Sequence, residues 1–129
     1  MKNTVQINYW TLGGFDGKKS ISQALREAKE IGYDGVELTF GAGVFTVGIT
    51  RQECAAIRKE AKALGVRLES LASGNFWTCS LSSPDKNERE RAIAFAKEYL
   101  QIANWLGAKL ALVIHGAVDV AWDPSQPVV

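Results

Sequence analysis

Cysteine, histidine and proline are scarce in this sequence, and each scarcity removes a class of explanation. Two cysteines occur in 129 residues, Cys54 and Cys79. The first falls in a predicted helix and the second in a loop, without metal-ligand spacing, so free thiols in a reducing cytoplasm are expected rather than a disulfide framework. The one histidine is His115, and a lone histidine more often packs through hydrogen bonds than it binds a ligand. With three prolines and no Pro/Gly/Ser linker or low-complexity stretch, nothing divides the chain, and residues 1–129 are expected to form a single domain. An excess of either charge is also missing: 15 basic against 14 acidic residues leave a net charge of +1. Nucleic-acid binding normally needs a basic stripe, and none is present. A phosphorylated small molecule needs only a few local donors and stays admissible. The longest apolar run, Leu110 to Ile114, is far short of the ~20 residues that span a bilayer. No apolar signal-peptide core follows Met1-Lys2-Asn3-Thr4-Val5, so the expectation is no membrane partner and a cytoplasmic location. The glycine-rich pieces Leu12-Gly13-Gly14-Phe15 and Gly41-Ala42-Gly43 lack dinucleotide-binding or Walker spacing, and no nucleophile elbow, CxxC or HExxH occurs.

What is present is a repeat. Three segments share one grammar, in which a helix ends in Ile or Leu then Gly, and an apolar strand follows after a short gap. They are Glu30-Ile31-Gly32-Tyr33-Asp34-Gly35-Val36-Glu37-Leu38, Ala63-Leu64-Gly65-Val66-Arg67-Leu68 and Trp105-Leu106-Gly107-Ala108-Lys109-Leu110. Their glycines stand 33 and 42 residues apart, about one βα unit each. Glycine just past a helix tolerates the left-handed conformation that closes it. The helix starts agree. Ser20-Ile21-Ser22-Gln23 and Thr50-Arg51-Gln52-Glu53 fit the capping box. Ser83-Pro84-Asp85 offers an N-cap, a proline at the first helical position and an acid against the helix dipole. Helical spacing puts Ile21, Ala24, Leu25, Ala28 and Ile31 on the core face of the first helix. The same spacing puts Cys54, Ile57, Ala61 and Leu64 on the second, and Ile93, Ala96, Leu100, Ala103 and Leu106 on the third. Trp105 reads as packing.

Strands are expected over roughly Val5 to Trp10, Gly35 to Phe40, Val66 to Ala72 and Lys109 to His115. Four strands alternating with three helices imply parallel pairing with right-handed crossovers. Two α/β architectures fit: a small doubly wound sheet, or the N-terminal half of a parallel (β/α) barrel. A closed eight-stranded barrel usually needs ~250 residues. The half barrel is favoured, because the sequence reaches Val129 directly after strand four and before a fourth helix, as if truncated before strand five.

Alternation then assigns faces. Val5, Ile7, Tyr9, Val36, Leu38, Phe40, Leu110, Leu112 and Ile114 are expected to face the helices. Gln6, Asn8, Glu37, Arg67, Glu69 and Leu71 are expected to face the barrel interior. The inward residues nearest the strand ends are Trp10, Glu37, Thr39, Ser73 and His115, at the C-terminal mouth where such folds carry their site. Glu37 and Glu69 could instead pair with Arg67 in a structural network. Trp10, Trp77 and Trp122 could fill the mouth or stack on the apolar face of a sugar ring.

Leu71-Ala72-Ser73-Gly74, Trp77-Thr78-Cys79-Ser80-Leu81-Ser82-Ser83-Pro84-Asp85 and Glu88-Arg89-Glu90-Arg91-Ala92-Ile93 resemble the third βα unit of the xylose isomerase-like barrels, the group of sugar phosphate isomerases and epimerases that includes AP-endonuclease relatives. Tyr33-Asp34-Gly35-Val36-Glu37-Leu38 is similar to that group's second strand, and Leu106-Gly107-Ala108 with Ile114-His115-Gly116 to its fourth. The resemblance implies a (β/α)8 barrel that uses a divalent metal, Mn²⁺ or Mg²⁺, to polarise a carbonyl while carboxylates move a proton on the neighbouring carbon. It places the metal ligands and catalytic groups on strands five to eight, beyond residue 129, so this chain by itself is expected to hold no metal, with His115 the one possible ligand. It gives Ser73, Gly74, His115 and Gly116 a place beside the substrate, with Glu37 and Trp10 lining the base of the mouth. The nuclease branch has a zinc-binding histidine where this chain has Gly74, which disfavours a zinc nuclease. The expected partners are a sugar or sugar-phosphate substrate and either the missing C-terminal half or a second copy of the chain. Without such completion the chain is expected to be inactive. The alternatives that remain are a half-barrel assembly or binding module that self-associates, and a self-sufficient small α/β domain.

Overall fold

Local sequence signals set the element ends. In the computed structural model, which describes residues 3–13, 16–41 and 43–116, the three glycines that close the repeated units adopt left-handed φ values of +103° at Gly32, +69° at Gly65 and +77° at Gly107. Each donates its backbone N–H to carbonyls of the last helical turn, the C-terminal closure expected from sequence. Helix α2 (Ile21–Ile31) starts at Ser20, whose side chain accepts from the Gln23 N–H. Gln23 does not return the bond but reaches Glu27 at 3.4 Å. Helix α3 (Arg51–Leu64) has the full reciprocal box between Thr50 and Glu53. Helix α4 (Lys86–Leu106) is capped by Asp85, which accepts the N–H groups of Asn87 and Glu88, so the cap lies two residues later than Ser83. The reason is visible: the buried Ser83 hydroxyl is already committed to Glu88 at 2.8 Å.

The strands β1 (Gln6–Asn8), β2 (Gly35–Thr39), β3 (Ser70–Ala72) and β4 (Leu110–Ala111) pair in parallel in the order β1-β2-β3-β4. Every crossover steps in the same direction, as in a barrel wall. A doubly wound sheet would reverse direction part-way. The half-barrel architecture expected from sequence is therefore the one observed, with one more helix than expected. Strand β1 ends at Asn8 rather than Trp10, and Tyr9–Gly13 forms a short helix, α1. Asn8 causes the break, because its Oδ1 accepts the Trp10 N–H at 2.8 Å and turns the chain.

Face assignment holds for Ile7, Tyr9, Val36, Leu38 and Phe40, all buried beneath the helices. Beyond the middle of β3 it fails for Leu71, Leu110 and Leu112, whereas Ile114 packs against the core as expected. Gly35 bridges Arg67, yet Leu38 pairs with Leu71, so β3 carries one extra residue between those two points. Such a bulge flips the phase of everything after it. Leu71 therefore packs outward in the core, and the flipped phase carries through to β4, where Leu110 and Leu112 stand exposed on the other face. Val5, before the start of β1, and Ile31, at the end of α2, are also exposed rather than packed.

An aromatic cluster closes the upper core. Phe40 stacks on Phe95 at 5.7 Å and meets Phe45 edge-on at 5.4 Å, while Phe76 meets Phe95 at 5.3 Å. These rings bring together β2, the loop after it, the 3₁₀ turn Asn75–Trp77 and α4. The face of α4 that packs is Ala92, Phe95, Tyr99, Ile102 and Leu106, leaving Ile93 and Leu100 exposed, contrary to the sequence expectation. The helix carries two apolar stripes, and the one bearing the aromatics faces the sheet. Trp105 packs against the core as expected. Tyr99 donates its hydroxyl between two strands, to the carbonyls of Leu71 at 2.6 Å and Leu112 at 3.0 Å. Burial first, and Glu37 second, push its pKa far above the usual phenol range, so it remains a neutral donor. Cys54 and Cys79 are free thiols, as expected, and burial is the main cause raising the pKa of both.

Candidate functional site

The C-terminal ends of β1, β2 and β3 converge on a small polar mouth. Asn8 and Glu37 are register partners, and the Asn8 amide donates to the Glu37 carboxylate at 2.7 Å. Asn8 uses its other atom for the Trp10 N–H, so one side chain both ends β1 and orients a carboxylate. Trp10 leaves from α1 and lays its indole against Gly74: a β-carbon on Gly74 would sit 3.2 Å from the ring atom Cζ2. Glycine at that position is what lets the ring approach. Ser73 is fully buried, and its Oγ accepts the Asn75 N–H at 3.2 Å, so it shapes the turn that presents Gly74. Asn75 in turn lies against Gly41, whose absent β-carbon would fall 2.7 Å from its Oδ1. Thr39, the last residue of β2, is buried on this inward side next to Ala72, and its Oγ1 has no hydrogen-bond partner.

His115 and Gly116 are held elsewhere on the rim. The His115 carbonyl accepts the Ser82 N–H at 3.0 Å and the Ser80 hydroxyl at 3.1 Å, and the His115 side chain is exposed. The 80–83 loop is itself organised by Glu88, which accepts the Ser80 N–H at 3.0 Å. That backbone bond, with the Ser83 hydroxyl, holds the Glu88 pKa below the usual carboxylate range. Trp77 is half-buried in the 3₁₀ turn, and Trp122 lies outside the described residues.

The network expected among Glu37, Glu69 and Arg67 does not form as such. Glu69 is approached by Arg67 at 3.3 Å and Lys109 at 3.4 Å near the opposite, N-terminal ends of the strands, whereas Glu37 belongs to Asn8. That opposite end carries an open depression of about 470 Å³ lined by Arg58, Lys62, Arg67, Glu69 and Lys109, among others. It is remote from the strand ends that β/α barrels use for chemistry.

No three His, Cys, Asp or Glu side chains converge among the described residues. A lone exposed His115 and a Glu37 already bonded to an amide do not make a divalent-metal donor set. Among the described residues, no helix is long and apolar enough to cross a membrane. The sequence named Trp10, Glu37, Ser73, Gly74, His115 and Gly116. The structure groups the first four, directly or through turns, and ties the last two to the serine loop. The contributions of Asn8 and Asn75 were missed. Asn8 was recognisable as inward, but its capping of β1 depends on where the strand ends.

The family of xylose isomerase-like TIM barrels matches residues 25–127. No curated protein matches the chain. Among solved structures, a D-psicose 3-epimerase in the presence of D-fructose is similar with a TM-score of 0.70 and 26% identity, over 98% of this chain and 42% of its own. D-Psicose 3-epimerase with D-tagatose from Clostridium cellulolyticum H10 gives a TM-score of 0.69 at 18% identity, over 84% of this chain and 36% of its own. At that lower identity the likeness is one of fold alone. The chain thus spans less than half the length of these two structures' chains.

Proposed function

The chain belongs to the xylose isomerase-like TIM barrel family, and on that premise we propose that it supplies the sugar-facing wall of a ketose isomerase or epimerase. The reaction would be movement of a proton on the carbon beside a carbonyl, on a ketohexose or its phosphate. The observation that carries this reading is the Trp10 indole laid on Gly74 beside the Asn8–Glu37 pair, at the C-terminal ends of parallel strands. A flat aromatic face suits the C–H face of a sugar ring, and an amide with a carboxylate suits its hydroxyls. The 26% identical relative crystallised with D-fructose points to the same substrate class.

In this reading Trp10 and Gly74 orient the sugar and exclude water, while Asn8 and Glu37 fix its hydroxyls. The divalent metal implied by the family resemblance, Mn²⁺ or Mg²⁺, finds no donor set among the described residues, and no step of the wall's work depends on it. The proton-moving carboxylates belong to the strands that would complete the barrel, so the 129-residue chain binds weakly and does not turn over. Titration of ¹⁵N-labelled chain with D-fructose tests this. Shifts confined to the Trp10 indole N–H, the Gly74 amide and the Asn8 side-chain amide, without epimerised product, are expected. A response at Arg58 and Lys109 alone, or none at all, would sink the reading.

A second reading, in which half barrels associate with one another, is favoured by a specific observation: the exposed leucines of the β4 edge, Leu110 and Leu112.

A further inference from the structure

Thr39 is buried in the mouth to 3% exposure, and its Oγ1 finds no hydrogen-bond partner among the described residues. Register places it on the inward face beside Ala72, two residues after Glu37, whose side chain joins Asn8 on that face. The strand order puts β2 between β1, which Trp10 follows, and β3, which Gly74 follows, and the Trp10 indole approaches Gly74. Thr39 is the last residue of β2. Thr39 thus presents, between the Trp10 and Gly74 segments, a buried hydroxyl with no hydrogen-bond partner among the described residues.

A hydroxyl buried without a partner destabilises a fold, whereas valine has nearly the same shape, suits a strand equally well and carries no such penalty. A threonine kept at this position costs stability, and groups of that kind concentrate where function requires them. We propose that Thr39 is a specificity contact for the sugar: its Oγ1 bonds a hydroxyl of a substrate held in the mouth. The inference rests on the sugar-wall reading and names a group within it. A hydroxyl-bearing ligand such as a sugar satisfies Oγ1, whereas an apolar ligand would leave it as unsatisfied as it is in the free chain.

The test compares the chain with Thr39→Val and Thr39→Ser in two measurements. In urea unfolding of the ligand-free protein, Thr39→Val is expected to have an equal or higher midpoint. A clear fall in that midpoint with Val but not with Ser would mean that the hydroxyl already has a partner, such as a buried water, and would overturn the proposal. In the D-fructose titration followed at the Trp10 indole N–H, Thr39→Val is expected to bind about five-fold to ten-fold more weakly. Thr39→Ser is expected to stay near the parent. Equal affinity of the parent and Thr39→Val overturns the Thr39 contact while leaving the sugar wall standing. A parent chain blind to D-fructose overturns both.

Discussion

Glu88 does more for the rim of the mouth than any other acid. Its two carboxylate oxygens accept the Ser80 N–H at 3.0 Å and the Ser83 hydroxyl at 2.8 Å. Ser80 and Ser82 then hold the His115 carbonyl. One side chain in the first turn of α4 thereby fixes a loop and, through it, the segment that follows β4. These bonds favour the charged form and depress the pKa from its ordinary value of 4.5. A depressed carboxylate contributes stability that is complete above the unfolded value and is lost as pH falls through the folded one. Glu88→Gln should cost about 1 kcal/mol at neutral pH, since the amide replaces one charged acceptor with a donor. The gap should begin to close as pH falls below 4.5 and vanish only below the depressed folded value. Urea midpoints measured from pH 7 to pH 3 check this, and a constant gap across the series would show that the charge of Glu88 is irrelevant.

At the scale of the elements, the decisive feature is the β2–β3 pair. Gly35 starts β2 where the chains lie so close that a β-carbon would stand 2.6 Å from the Arg67 carbonyl and 2.9 Å from the Gln6 Cγ. The backbone cannot retreat, because the Val36 N–H is bonded to that same carbonyl at 2.9 Å. Gly35→Ala should therefore destabilise the fold by about 1–3 kcal/mol as an overpacked site. Hydrogen exchange should accelerate first at Val36 and at Arg67, whose N–H bonds the Asp34 carbonyl, and unchanged protection there would refute the steric argument. The same pair marks where the sequence stops being legible. The glycine closures and the Thr50–Glu53 box are local, so short-range pattern revealed them, and with them the alternation of strands and helices. The bulge after Arg67 is not local: nothing in Leu68-Glu69-Ser70 announces an extra residue, and the faces assigned to Leu71, Leu110 and Leu112 came out reversed, while Ile114 still packs against the core. On α4 the ambiguity is of another kind. Ile93 and Leu100 match a helical stripe as well as Phe95, Tyr99 and Ile102 do, and only the rings of Phe40 and Phe76 decide between them. The site was legible to the extent that it hangs on strand ends, as at Trp10 and Glu37. It was illegible where turn geometry rules, as at Asn8 and Asn75.

Half a barrel displays what its other half would cover, and among the described residues several large apolar side chains are exposed. Leu110 is 68% exposed, Leu112 49% and Leu100 50%. Leu110 belongs to β4, the end strand of the sheet among the described residues, and Leu112 follows directly after it. Leu100 projects from α4, whose Phe95 and Trp105 side is the one packed into the core. At roughly 25 cal/mol per Å² of apolar surface removed from water, covering such an edge is a strong incentive to associate. A free parallel edge adds unpaired backbone donors and acceptors to it. A second copy fits this edge in a closing way, because among the described residues β1 is the end strand on the opposite side of the sheet. Two copies related by a two-fold axis can each set β4 against the other's β1, so that no edge remains for further growth. Native mass spectrometry at micromolar concentration should therefore show a species of twice the 14.1 kDa chain mass. Lysine at both Leu110 and Leu112 should return the protein to monomer with its circular dichroism unchanged, because neither side chain is part of the core. If the parent is monomeric at every concentration, the edge is protected in some other way. If instead the double variant stays dimeric, association proceeds through a different face. A mixture of higher oligomers in the parent, dispersed by the lysines, would keep the edge as the sticky surface but rule out the closed pairing of β4 with β1.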